Sequence, residues 1–194
     1  MLSTIRNPLD VTVTLYFKYK SNHKGAFTDP KRWKSNGGDI TDLELRRFRF
    51  IQENNADFST FFKRFHRFPP YDNWSRLAHK DFDFVIRYED LQGGFSRALE
   101  LMSIPQQRHL PVVNPTAGKE MDFWSYYVPE IRRQAVTVFG PFMRQWGYRF
   151  PVEWGDTSIP WSSRLFFHLA GALKTYFVWN SSFGARWYRR FRGL

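Results

Sequence analysis

Ser3–Phe17, STIRNPLDVTVTLYF, decides the fold. Val11, Val13, Leu15 and Phe17 alternate with Thr12, Thr14 and Tyr16, a period of two rich in β-branched residues that suits a strand. The start signals of a helix compete with it. Asn7 is a good N-cap, and Pro8 fits the first helical position, where its missing N–H would have had no partner. Asp10 falls in the first turn, where a carboxylate favours the positive end of the helix dipole. These signals are specific, whereas β-propensity yields to context, so the stretch reads as strand, turn and helix. A short run of Leu2, Thr4 and Ile5 leads into Arg6-Asn7-Pro8 and then the helix. Such a unit directs a guanidinium, free backbone N–H groups and a hydroxyl on the second turn to one spot, an arrangement suited to a phosphate.

The chain has 194 residues, enough for one domain with a sizeable core. Aromatic residues make up 20% of it, with 21 Phe and 8 Trp, so a collapsed structure is expected despite the polar average. There is no cysteine, which excludes disulfides, thiolate metal sites and thiol nucleophiles together. The N-terminus reads as a core strand rather than a signal peptide, and no apolar run is long enough for a transmembrane helix. A cytoplasmic or peripheral membrane location follows as the expectation. The net charge of +11 calls for acidic partners: phosphate or sulfate groups, nucleic acid, or an anionic membrane.

Lys18 to Gly38 is charged, punctuated by Gly, Pro, Asn and Ser, and lacks a sustained period: a loop or lid. From Ile40 to Phe68 two helical pieces are expected. Asp39 or Thr41 caps the first, with Leu43, Leu45, Phe48, Ile51 and Gln52 following. Ser59 caps the second, Thr60 to Phe68, in which Phe61, Phe62, Phe65 and Phe68 recur at three and four. Basic residues lie between these aromatics, a mixture that also occurs in nucleic-acid binders. At helical spacing the Phe residues read as core and the cations as the solvated face, and no nucleic-acid motif is present. His66 has no second ligand one turn on, so no metal site is expected. Pro69-Pro70 ends the segment.

Phe84-Val85-Ile86 is a short apolar run, the pattern of a strand buried on both faces of a parallel sheet. Arg87-Tyr88-Glu89-Asp90-Leu91 follows, then a Gly93-Gly94 break and a helix with Phe95, Ala98, Leu99 and Met102 on one stripe. Glu89 and Asp90 read as capping or buried ion-pair residues rather than as an acid–base pair. Asn114-Pro115 and Ala117-Gly118 carry turn chemistry before Lys119. Pro129 opens a helix with Ile131, Ala135, Val138, Phe139, Phe142, Met143 and Trp146 on one face, which Pro141 is expected to kink.

These segments together resemble the sulfotransferases that use 3′-phosphoadenosine 5′-phosphosulfate (PAPS). Arg6-Asn7-Pro8-x-Asp10 with Thr14 is similar to their 3′-phosphate-binding segment, where an arginine and a serine hold the 3′-phosphate; threonine here keeps the hydroxyl. The strand and Tyr88-Glu89-Asp90-Leu91 are similar to the family's buried strand and its YEDL segment, whose tyrosine lies near the adenine. Thr116-x-Gly118-Lys119 resembles the basic loop that closes over the 3′-phosphate, and Trp146-Gly147-Tyr148 the closing segment. The resemblance runs from Arg6 to Tyr148. It implies an α/β fold of the P-loop-NTPase-like kind, with a parallel sheet flanked by helices, and cofactor contacts from Arg6, Thr14, Tyr88 and Lys119. It also implies PAPS as donor with no metal, and a small-molecule or glycan acceptor bearing a hydroxyl or amine. The loop of Lys20, Lys24, Lys31, Arg32 and Lys34 would then meet an anionic acceptor or the cofactor, or else be a solvated surface.

The family binds the 5′-phosphosulfate on an N-terminal Gly/Ser/Thr-rich P-loop with a lysine, and draws its general base from the same region. No G-x-x-x-x-G-K-[ST] motif occurs here. The expectation is therefore a sulfotransferase domain over residues 1–155 that is incomplete on its N-terminal side, with no catalytic residue assigned. Residues 156–194 form a basic aromatic tail. It holds Arg164, Lys174, Arg186, Arg189, Arg190 and Arg192 against a single acid, Asp156. Trp161 to Trp179 places Leu165, Leu169, Ala172, Leu173, Tyr176 and Phe177 on one apolar face. A helix at an anionic membrane surface, a helix packed back on the domain and a disordered tail are all open, although so many Trp and Phe argue against the last. The alternative to an enzyme is a non-enzymatic basic module for anionic membranes or polyanions.

Overall fold

The computed structural model describes residues 2–67, 82–111, 118–119 and 122–174. The readings placed on Phe68 to Pro70, on Asn114 to Ala117 and on Tyr176 to Leu194 lie outside these. Two parallel strands, β1 (Leu2–Ile5) and β2 (Phe84–Arg87), pair Leu2 with Phe84 and Ile5 with Arg87. Helices α1 (Pro8–Lys20), α2 (Asp42–Asn54), α3 (Phe58–Phe65), α4 (Leu91–Leu101), α5 (Pro129–Gln145) and α6 (Trp161–Lys174) surround them. The described chain is thus mostly helical, a small parallel sheet flanked by helices. Of β2, only Ile86 is fully buried; Phe84 and Val85 are half-buried, so the expected burial on both faces is only partial.

Helix α1 settles the opening stretch. The Asn7 side chain accepts from the Leu9 N–H at 3.0 Å, and Pro8 occupies the first turn. Burial rewards the stretch as a helix: Leu9, Val13, Tyr16 and Tyr19 enter the core, and the β-branched Thr12 and Thr14 are buried as well. The Thr12 hydroxyl donates to the Pro8 carbonyl at 2.8 Å, which satisfies it without water. Tyr127 donates its hydroxyl to the Leu9 carbonyl at 3.0 Å, and Tyr16 to Ala56 at 2.9 Å, so neighbours are pinned to this helix by polar as well as apolar contacts. Around it close Phe58, Phe61 and Phe62 of α3 and Ile131, Ala135, Val138, Phe139 and Met143 of α5.

Thr41, not Asp39, caps α2, through a reciprocal box with Glu44; Asp39 instead forms a forked pair with Arg32 at 3.0 and 2.6 Å. Asp57 rather than Ser59 caps α3, accepting from the Thr60 N–H at 2.8 Å, so the helix starts two residues earlier than expected. The loop between α1 and α2 is pegged by buried Ala26, Phe27 and Ile40, with the Phe27 ring between Tyr19 and Phe48. Lys20, at the end of α1, and Lys24, Lys31 and Lys34 of the loop are exposed. Gly93-Gly94 does not break the chain. Both lie inside α4, where a Cβ on Gly94 would stand 2.5 Å from Ile86 Cγ2, so the glycine lets the helix sit against β2. Helix α5 continues through Pro141, which is itself buried.

Candidate functional site

The parallel pairing sets the end of β2 beside the end of β1, and so brings Tyr88 to the start of α1. Arg6, in the turn between β1 and α1, reaches along the helix. Its Nε donates to Asp10 Oδ2 at 2.6 Å and its Nη2 to Thr14 Oγ1 at 3.1 Å. One helical turn separates Arg6 from Asp10 and a further turn reaches Thr14, so a single extended arginine spans both. The guanidinium carbon stands 4.4 Å from the centroid of the Tyr88 ring, a cation–π distance. From a distant part of the sequence Lys119 donates to Asp10 Oδ1, closing an Arg–Asp–Lys triad. Gly118 precedes it with φ +73°, a left-handed turn that a residue with a Cβ adopts poorly.

All four residues singled out in the sequence thus meet in one cluster. Asp10 and Thr14 are buried, Arg6 and Lys119 largely so, and Tyr88 keeps 48% of its surface exposed. Two cations share one carboxylate, which leaves the triad with a net positive charge. Lysine has three N–H donors and arginine five, so donors remain beyond those spent on Asp10 and Thr14.

Two features differ from the expectation. Backbone donors at the helix start are partly used inside the protein. The Asn7 N–H donates to Glu89 Oε1 at 2.6 Å and the Leu9 N–H to the Asn7 side chain. An anion placed here would therefore meet chiefly side-chain donors. The second is Tyr148, whose hydroxyl donates to Glu89 Oε2 at 2.9 Å. Burial, then this bond to a carboxylate, push the phenol's pKa well up. Arg87 lies over the Tyr148 ring at 5.1 Å and donates to the Trp146 carbonyl at 2.6 Å. Glu89 therefore ties the start of α1, the end of β2 and the segment after α5 together. Asp90, in contrast, pairs on the surface with Arg97 at 2.6 Å, which holds its carboxyl below the usual range.

Sequence reasoning read Asp10 as a dipole partner and as a member of the Arg6-Asn7-Pro8-x-Asp10 segment, with no bond assigned to it, and left Tyr148 without a role. The sole sequence signal for Tyr148 was its place in Trp146-Gly147-Tyr148. A cleft of about 490 Å³ bounded by Trp124, Arg132, Arg149, Phe150 and Trp154 shares no residue with the Arg6 cluster. Among the described residues there is no grouping of three His, Asp or Glu side chains able to hold a metal ion, and no helix long and apolar enough to cross a membrane. Comparison with protein-family models, with curated proteins and with solved structures finds no match for this chain.

Proposed function

We propose that the Arg6 cluster is a 3′-phosphate site of the sulfotransferase kind, in a chain that serves sulfuryl transfer from PAPS to a hydroxyl or amine acceptor. The observation that supports this reading is the convergence of Arg6, Thr14, Tyr88 and Lys119, from three separate segments, around the first two turns of α1. The chemistry fits a phosphate dianion. The donors of Arg6 and Lys119 that Asp10 leaves unused engage its oxygens, the Thr14 hydroxyl adds a neutral donor, and Asp10 holds the two cations in register. The exposed side of Tyr88 offers a stacking surface for the adenine. Glu89 and Tyr148 act indirectly, by fixing the start of α1 against β2.

Bound PAPS would supply the sulfuryl group, and these residues would hold the end of the molecule away from it. No P-loop motif for the 5′-phosphosulfate occurs in the 194 residues, so no catalytic residue is assigned. The P-loop-NTPase-like form of the fold belongs to the same proposal.

Calorimetry with 3′,5′-adenosine diphosphate, the nucleotide left after transfer, tests it. The chain should bind saturably, and Arg6→Ala should weaken binding by about 1–3 kcal/mol, the range for hydrogen bonds to charged groups. 5′-Adenosine monophosphate, which lacks the 3′-phosphate, should bind more weakly and be indifferent to Arg6→Ala. Equal binding of the two nucleotides, or none by the folded chain, overturns the reading.

A further inference from the structure

Helix α6 packs on the domain through a stripe that its sequence does not advertise. Ser163, Phe167 and Gly171, four residues apart, are its buried positions. The Ser163 hydroxyl donates to the Thr137 carbonyl of α5 at 2.7 Å, and Phe167 is 1% exposed. Upstream, Arg133 of α5 donates to the Ser158 carbonyl at 2.9 Å, and Ile159 lies against Gly140, so the approach to α6 is anchored too. The docking face is small in area and includes a serine and a glycine.

The richer apolar face points the other way. At about 100° per residue, Trp161, Leu165, Leu169 and Leu173 follow one another up the side of the helix opposite the docked stripe, with Phe166 beside them. They are 70, 45, 50, 56 and 57% exposed respectively. Exposed Arg164 and His168 border this face on one side. A monomeric protein seldom leaves so many large apolar side chains contiguous and wet without a use for them.

Charge identifies the occupant. After Asp156 the sequence contains no further acid, and the last 20 residues carry Arg186, Arg189, Arg190 and Arg192 among Trp, Tyr and Phe. An apolar helix face rich in Trp, Phe and Leu, followed by a cluster of arginines, combines the two signals that hold a peripheral protein on a bilayer.

We infer that the outward face of α6 inserts into the interface of an anionic lipid membrane, while its Ser163–Phe167–Gly171 stripe keeps the domain attached above it. Trp161, Leu165, Leu169, Leu173 and Phe166 enter the boundary between headgroups and acyl chains, and the arginines that follow bind lipid phosphates and carboxylates. This property stands independently of the nucleotide site.

Co-sedimentation of the full chain with phosphatidylcholine vesicles, with and without phosphatidylserine, tests it. The chain should pellet with the phosphatidylserine vesicles and far less with phosphatidylcholine alone. The double variant L165Q/L169Q should reduce partitioning by about 100-fold or more, since two leucines lose their transfer into the apolar layer. Both side chains are half-exposed, so its circular dichroism should match the parent; F166Q, on the same face, repeats the test with a single change. Replacing Arg186, Arg189, Arg190 and Arg192 by Gln should abolish the preference for phosphatidylserine. Absence of vesicle binding overturns the inference, as does binding that L165Q/L169Q and F166Q leave unchanged. Sedimentation equilibrium showing a dimer that L165Q/L169Q dissociates, with no vesicle binding, would assign the face to a second copy instead.

Discussion

Asp10 is the residue on which the charge balance of the candidate site turns. It lies 7% exposed, with one carboxylate oxygen on Arg6 and the other on Lys119. Removing the charge in Asp10→Asn leaves two neighbouring cations with one weak acceptor between them. Breaking a fully buried pair costs about 3–5 kcal/mol, and the partial exposure of the cations lowers this toward about 1–3 kcal/mol. Urea unfolding at low salt should show the loss. Added inorganic phosphate should restore more stability to the variant than to the parent, because a bound anion takes over the task of the carboxylate. An Asp10→Asn protein as stable as the parent, and equally indifferent to phosphate, would mean that the triad is not an anion site. Asp10 also shows where sequence reading stops at this scale. Its position in the first turn is local and visible; its bond to Lys119, 109 residues away, depends on tertiary structure and is not.

At the scale of elements, what was legible was what neighbours in sequence decide. Asn7-Pro8 announced α1, and the capping box of Thr41 and Glu44 was available to announce α2. The failures came where a distant element decides. Gly93-Gly94 reads as a break because glycine costs a helix about 1 kcal/mol against alanine, yet α4 runs through both, since Gly94 faces Ile86 of β2. Likewise the apolar periodicity of α6 marked Leu165, Leu169 and Leu173 for either a membrane surface or the domain, and the domain packs on Ser163 and Phe167 instead. The two glycines make separable predictions. A Cβ at Gly93 meets only the exposed Asp90 carboxylate, which can swing aside at the cost of its surface pair with Arg97, a pair of the kind worth little. A Cβ at Gly94 meets a buried, branched isoleucine that cannot. Gly93→Ala should therefore be close to neutral. Gly94→Ala should lose about 1–3 kcal/mol to overpacking, offset in part by the gain in helix propensity. Thermal melts followed by circular dichroism separate the two; equal melting temperatures would mean that α4 does not rest on β2 through Gly94.

At the scale of the whole molecule, one aromatic cluster joins α1, α3 and α5, and His66 is part of it. Its ring stacks on Phe62 with centroids 4.8 Å apart and an interplanar angle of 6°, and Phe61 and Phe139 lie at 5.7 and 5.9 Å. The Gln134 amide donates to its backbone carbonyl at 2.5 Å, and its Nδ1 is buried with no partner. The sequence showed a lone histidine; that it completes the core depends on the long-range meeting of α3 with α5. Burial, then the nearby Arg47 charge, lower its pKa from the ordinary 6.5 to about 3. The sign follows from linkage. Between those values the unfolded chain binds a proton at His66 that the folded chain refuses, so stability falls as pH is lowered, by up to about 1.4 kcal/mol per pH unit. The loss begins near pH 6.5 and is complete near pH 3. Asp57, held below the usual carboxylate range chiefly by its bond to the Thr60 N–H, adds a separate loss that begins only near pH 4, as its unfolded form takes up a proton. Urea unfolding across pH 7 to 4.5 therefore isolates the histidine. His66→Phe preserves the stacked ring and removes the titration, so its stability should stay flat over that window while the parent declines. Parallel curves for the two proteins would place the acid sensitivity elsewhere and leave His66 a spectator in its own cluster.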